Sequence, residues 1–241
     1  MPHGGGIIFL HHYTWSKCID KERHALLHFK SYIHQDPDGL LSTWTPKEVA
    51  NDCCNWSGVT CNDKTGHVTI LDLSVGLLRG KISPSLLNLS YLNHLDLYGN
   101  FFNGTIPMFI GSMTRLKYLD LSNNNFTGIV PMFIGSMTQL RYLYLGLNDF
   151  IGSIPSEFQN LANLQELSLE SLNGCTIENL DWLSHLEGLD MSGTSLGKVD
   201  NSVNEILSLK KLLYLSLDSG GLIVQIGVAR ATATHPLTPF S

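Results

Sequence analysis

An α/β solenoid is what the sequence predicts: a right-handed superhelix of stacked coils, with short parallel strands on its concave face and a disulfide-stapled helical cap at its N-terminus. Two observations carry this. Leu92, Leu116, Leu140 and Leu164 recur every 24 residues, and the same step relates Leu95, Leu119, Leu143 and Leu167, then Leu97, Leu121, Leu145 and Leu169. A fixed period of roughly 20–50 residues dictates a repeat architecture, because each unit is too small to bury its own apolar face and must stack on its neighbours. Finally, Cys18, Cys53, Cys54 and Cys61 all precede the first repeat.

The first segment, residues 1–17, is expected to be unstructured. Its apolar run covers only Ile7 to Leu10 and no basic residue precedes it, whereas a signal peptide needs about 7–15 apolar residues, so it reads as a poor signal.

Residues 18–66 form the cap. In Asp20 to His34 the apolar Ala25, Leu26, Phe29 and Ile33 fall at helical spacing, Asp20 is placed to cap the start, and Asp36 to Gly39 (DPDG) to end it. His24 and His28 stand one turn apart, but no third ligand is in register, so they read as surface histidines and no metal is expected. Adjacent Cys53 and Cys54 chelate one ion awkwardly, so disulfides and an oxidising compartment are expected, with three pairings open.

Residues 67–219 hold about six to seven repeats. In each L-x-L the two leucines alternate with a polar residue, the period of a strand with one buried face, and stacked coils make these strands a parallel sheet. Asn100, Asn124 and Asn148 follow, placed to satisfy buried backbone groups where the chain leaves the strand. Gly104, Gly128 and Gly152 permit a bend, and Pro107, Pro131 and Pro155 fix an extended second segment before a short helical turn. Gly76 stands in place of the first Asn. The step shrinks to 22 from Leu164 to Leu186 and grows to 26 from Leu186 to Leu212, so these coils should curve differently. Residues 220–241 match no part of the repeat, which suggests an incomplete chain, since an uncapped solenoid exposes its apolar cross-section.

C-x-x-x-E-x-x-A-L-L-x-F-K at Cys18 to Lys30, L-x-x-W at Leu41 to Trp44 and C-C-x-W-x-G-V-x-C at Cys53 to Cys61 together resemble the plant-type N-terminal cap of leucine-rich-repeat proteins. The repeat seen in Leu119 to Pro131, with Val130 for the usual Ile, is similar to the plant extracellular subclass, and Glu178 to Ser192 resembles receptor-like proteins of the Cf and xylanase-receptor type. The resemblance implies pairing of Cys18 with Cys53 and Cys54 with Cys61, and a location outside the cell or at the plasma-membrane surface. It implies a ligand that is a protein, peptide or cell-wall polysaccharide, and a co-receptor kinase as a further partner, in defence or developmental signalling. Two other readings compete: a secreted protein similar to polygalacturonase inhibitors, whose repeats are regular throughout, and a non-functional receptor fragment. Sequons at Asn55, Asn88, Asn103 and Asn125 fit a glycosylated secretory protein.

Binding is expected on the concave face. Beside the strand leucines stand His94, Tyr118, Tyr142 and Glu166, and between them Asp96, Asp120 and Tyr144, an aromatic patch bordered by acids. Tyrosine offers contact area and a polar tip at low entropic cost, which favours Tyr118, Tyr142 and Tyr144 as the centre. Aromatic residues also stabilise strands by stacking across them, so a purely structural role stays open; for Asp72, Asp96 and Asp120 the structural role is expected. Cys175 is expected to be a small buried residue.

Composition excludes other classes. The net charge is −6 and the 15 Lys and Arg form no run, so nucleic acid is not an expected partner. No stretch approaches the roughly 20 apolar residues of a membrane span. No P-loop, G-x-S-x-G, H-E-x-x-H or dinucleotide fingerprint occurs, so a binding scaffold without cofactor is expected, not an enzyme.

Overall fold

Because the leucines repeat in step, stacking puts like beside like: Leu95, Leu119, Leu143, Leu167 and Leu189 lie side by side on neighbouring parallel strands, all fully buried. The computed structural model describes residues 17–46, 52–177, 181–194 and 211–216. The expectations for the segment before residue 17 and for the tail from 220 lie outside the described residues, as does part of the last repeats. The concave sheet runs Val59–Cys61, Val68–Asp72, His94–Asp96, Tyr118–Asp120, Tyr142–Tyr144, Glu166–Ser168, Gly188–Asp190, Tyr214–Ser216. Its first strand is antiparallel and belongs to the cap, so it covers an edge that would otherwise present unpaired backbone groups.

A second sheet forms on the other side of the core: Ile33–Gln35, Arg79–Gly80, Phe101–Gly104, Asn125–Ile129, Asp149–Ser153, Gly174–Thr176. The sequence shows only an extended segment here; the strands arise because successive extended segments meet at one coil's spacing. The second residue of each later strand points inward. Phe102, Phe126 and Phe150 stack with centroids 6.5 and 6.4 Å apart and planes within 5°. Cys175 follows them on Gly174–Thr176, almost fully buried, with its thiol pushed up to about 11 by loss of solvent. Labelling by a thiol reagent under native conditions is therefore expected to be negligible and to appear only on denaturation; rapid native labelling would contradict this placement.

Between the sheets the coils close through 3-10 turns, Met108–Ser112, Met132–Ser136, Ser156–Asn160 and Asp181–His185. Pro107, Pro131 and Pro155 precede the first three in extended conformation. Gly104, Gly128 and Gly152 each adopt φ of +86°. A Cβ on Gly104 would meet nothing within 4 Å, so backbone freedom rather than space selects glycine.

The asparagine ladder works as expected. Asn124 Oδ1 accepts from the Phe102 N–H at 2.9 Å, and its Nδ2 donates to the carbonyls of Leu97, Ser122 and Leu121 at 2.8, 3.0 and 3.2 Å. Asn100 and Asn148 repeat the pattern one coil to either side. Two coils further on Thr194 does part of the same work, accepting from the Leu172 N–H at 3.1 Å and donating to the Leu169 carbonyl.

Just before the ladder position the backbone turns left-handed at Val75, Gly99, Asn123, Leu147, Ser171 and Gly193. Glycine and asparagine suit that conformation; a β-branched residue does not. Val75 has φ of +55° and is 62% exposed, so nothing gained by burial offsets the strain. Val75→Asn is expected to stabilise the chain by about 1 kcal/mol, read by denaturant unfolding; an unchanged or lower midpoint would contradict it.

The cap corrects two expectations. The helix spans Asp20–Lys30 and stops three residues before Ile33, which pairs antiparallel with Gly80 instead. The chain approaches so closely that a Cβ on Gly80 would lie 2.4 Å from the Tyr32 carbonyl oxygen. Nor does Asp20 cap the helix: Ile19 occupies that position, and Asp20 accepts from Arg23. Glu22, almost fully buried, joins cap to solenoid by accepting from the Val68 N–H at 2.7 Å and meeting His67 Nδ1 at 2.9 Å. Lys30 Nζ donates to the carbonyls of Leu41 and Trp44, and Trp44 stacks on Trp56 at 5.7 Å. Disulfides join Cys18 to Cys53 and Cys54 to Cys61, the pairing the resemblance implied.

Candidate ligand-binding face

On each three-residue concave strand the middle leucine points inward, so its neighbours face outward, and the one-coil register aligns them in rows. One row is aromatic. His94 stacks on Tyr118 with centroids 4.0 Å apart and planes 7° from parallel, and Tyr118 meets Tyr142 at 5.9 Å and Tyr144 at 5.5 Å. Tyr144 Oη donates to Glu166 Oε2 at 2.7 Å. All five residues expected from the sequence therefore form one connected surface: His94, Tyr118, Tyr142 and Tyr144 half-buried, Glu166 exposed. Burial holds the Tyr118 and Tyr144 phenols well above their usual range; Asp120 for Tyr118 and the bond to Glu166 for Tyr144 add to it, so both stay protonated donors.

The acid row beside them has a structural task. Asp72, Asp120 and Asp190 each accept from the backbone N–H and hydroxyl of a serine two residues on, Ser74, Ser122 and Ser192. Asp96 accepts from the Tyr98 N–H at 2.9 Å. The solenoid nevertheless stacks Asp72, Asp96 and Asp120 on consecutive strands. Asp96, in the middle and almost fully buried, is pushed up to about 7, first by loss of solvent and then by the charges of Asp120 and Asp72, against the pull of the Tyr98 N–H. Spacing made that column legible in the sequence; the titration needs the burial as well.

The remaining expected sites are elsewhere. Asn55, Asn88, Asn103 and Asn125 are all exposed, with Asn103 and Asn125 on neighbouring strands of the second sheet. His24 Nδ1 lies 2.8 Å from the Asp20 carbonyl and His28 Nδ1 3.3 Å from Ser83 Oγ, so the two rings serve separate contacts. Among the described residues, the one cluster with metal-ligand spacing is Cys18, Cys53 and Cys54, and its sulfurs are in disulfides. No described helix is long and apolar enough to cross a membrane.

Residues 19–62 match the leucine rich repeat N-terminal domain family, and residues 65–234 the leucine-rich repeat region family. The chain is 42% identical to receptor-like protein EIX1 of Solanum lycopersicum over 85% of its own length and 19% of that protein's. Thus it spans less than a fifth of the curated relatives it matches first. Among solved structures it resembles PEPR1–AtPEP1, at 31% identity and TM-score 0.66 over 73% of this chain and 25% of that one. It also resembles the ectodomain of the plant membrane receptor kinase GASSHO1/SCHENGEN3 from Arabidopsis thaliana in complex with CASPARIAN STRIP INTEGRITY FACTOR 2, at 28% identity and TM-score 0.65 over 82% of this chain and 23% of that one.

Proposed function

The chain belongs to the leucine-rich-repeat family, and from that premise we propose that it is the extracellular ligand-binding portion of a plant receptor-like protein, acting in defence or development, with no catalytic activity of its own. The observation that carries this is the connected patch His94, Tyr118, Tyr142, Tyr144 and Glu166, which spans two adjacent rows of the concave face. Its rings offer area, its phenols donate, and Glu166 fixes one of them in orientation before any ligand arrives, which lowers the entropic cost of binding. A protein or peptide segment suits such an open, ridged surface better than a small molecule, which needs an enclosed pocket. The mixed acid and phenol lining is also compatible with a cell-wall polysaccharide, and a co-receptor kinase would join the bound complex. The two disulfides and the exposed sequons Asn55, Asn88, Asn103 and Asn125 support residence in the secretory pathway and glycosylation there.

Peptides selected by display against the wild-type chain test the reading when re-measured on a variant with Tyr118, Tyr142 and Tyr144 all replaced by alanine. The rings rest on one another, so the variant loses stacking energy, about 0.5–1.5 kcal/mol per pair, but keeps its leucine column and folds. Binding is expected to weaken at least about 30-fold, the loss of one hot spot of about 2 kcal/mol. Equal affinity on a folded variant would discard the site.

A further inference from the structure

The second sheet carries a groove that the concave-face reading leaves unused. It is open, about 510 Å³, and lies between coils, walled by Asn123, Leu147, Asp149, Ile151, Ser171 and Asn173. Two features set it apart from ordinary surface. Leu147, like Val75 and Ser171, occupies the left-handed position that Gly99, Asn123 and Gly193 fill on other coils, with φ of +54°, and is 37% exposed. Ile151, beside it, is 58% exposed and pairs with Ile129, itself 63% exposed. Leu147 and Ile151 in the groove, with Ile129 at its edge, suggest an apolar surface that is covered in the finished molecule.

One wall of this groove is also Asn125, the acceptor of the sequon Asn125-Phe126-Thr127, exposed on the first position of its strand. We propose that the occupant is the chain's own N-linked glycan: the first N-acetylglucosamine on Asn125 lies in the groove and covers Leu147 and Ile151. The inference rests on the secretory reading above. Attachment joins the Asn125 amide nitrogen to the anomeric carbon of an oligosaccharide carried on a lipid pyrophosphate. The glycosyl–phosphate bond breaks, and the amide proton leaves with the pyrophosphate. Once attached, the sugar presents chemistry that fits the walls. One face of the pyranose and the acetamide methyl are apolar and suit the two aliphatic side chains. The hydroxyls and acetamide N–H find acceptors and donors in Asn123, Asp149, Ser171 and Asn173, which ring the apolar floor. Tethering makes the association intramolecular, so modest contacts suffice to hold it.

The whole chain, expressed behind a secretory leader in a mammalian line that makes high-mannose glycans, gives the test. Mass spectrometry reads occupancy at Asn125. Trimming with an endoglycosidase that leaves one N-acetylglucosamine should leave Tm unchanged, whereas Asn125→Gln should lower it by about 2–4 °C. The control Asn55→Gln, at a sequon outside the groove, should not lower Tm. In bacterially made, unglycosylated chain Asn125→Gln should also have no effect. Proton contacts between the sugar ring and the Leu147 methyl groups in NMR would give the placement directly. The proposal is overturned if Asn125 is unoccupied while other sequons are filled, if Asn125→Gln melts with wild type, or if it is equally weaker without glycan. Four empty sequons would overturn it together with the secretory reading on which it rests; peptide binding at the tyrosines, measured separately, is untouched by any of these results.

Discussion

Asn124→Ala is expected to cost about 3 kcal/mol of stability, because it leaves the Phe102 N–H buried without a partner, at about 1–3 kcal/mol, and takes one of two donors from each of the Leu97, Leu121 and Ser122 carbonyls, which keep Asn100 Nδ2, Asn148 Nδ2 and the Gly99 N–H. Thermal unfolding should move down by about 10 °C. The loss is of hydrogen bonding rather than volume, which a second variant separates. Thr194 shows that a hydroxyl can accept from the coil before and donate to a carbonyl, so Asn124→Thr should recover about half of the loss, while an isosteric leucine should recover none. If alanine and threonine melt alike, the ladder contributes packing only. The repeated use of one residue type in one place follows from this energetics: each coil leaves the same backbone groups unpaired at the same corner.

Asp96→Asn is expected to act in the opposite direction and only above mildly acidic pH. In the unfolded chain its carboxyl ionises near 3.8, whereas in the folded chain it holds its proton to about 7. Between those values the folded state binds the extra proton, so the stability associated with protonated Asp96 is complete below the lower value and is lost as pH rises through the upper one. The gap corresponds to at most about 4 kcal/mol, and relaxation around Asp120 and Asp72 reduces it. An asparagine keeps an oxygen for the Tyr98 N–H and carries no charge, so the variant should be more stable by about 2–4 kcal/mol at pH 8 and equal to wild type at pH 4. Denaturant unfolding at the two pH values reads this. A gain of the same size at both would trace to packing, and no gain at either would mean that the column is solvated.

How much of this was legible in the sequence depends on whether one coil sufficed to show it. The strand leucines, the asparagines, the glycines at positive φ and the prolines are each required within a single coil, so the 24-residue step exposes them and the sheet of Leu95, Leu119 and Leu143 follows. Features made by two coils were harder. The second sheet is visible locally only as extended chain, and its Phe102–Phe126–Phe150 stack appears once the coils are superposed. Tyr144 and Glu166 stand 22 residues apart on different rows, and only the register brings their oxygens to 2.7 Å. At the cap, Ile33 continued the helical spacing of Ala25, Leu26 and Phe29, but its place against Gly80 outweighs that local pattern. Thr194 escaped notice because its role depends on position rather than on residue type.

Five residues of the concave patch were named from sequence alone, and the structure adds their order and contacts: His94 on Tyr118, Tyr118 on Tyr142 and Tyr144, Tyr144 on Glu166. The central claim is that ligands meet the chain on this patch. Hydrogen exchange with and without a display-selected peptide tests it most directly. The account predicts added protection in residues 94–98, 118–122 and 142–146; protection confined to the second sheet, in residues 101–104 and 125–129, would contradict it.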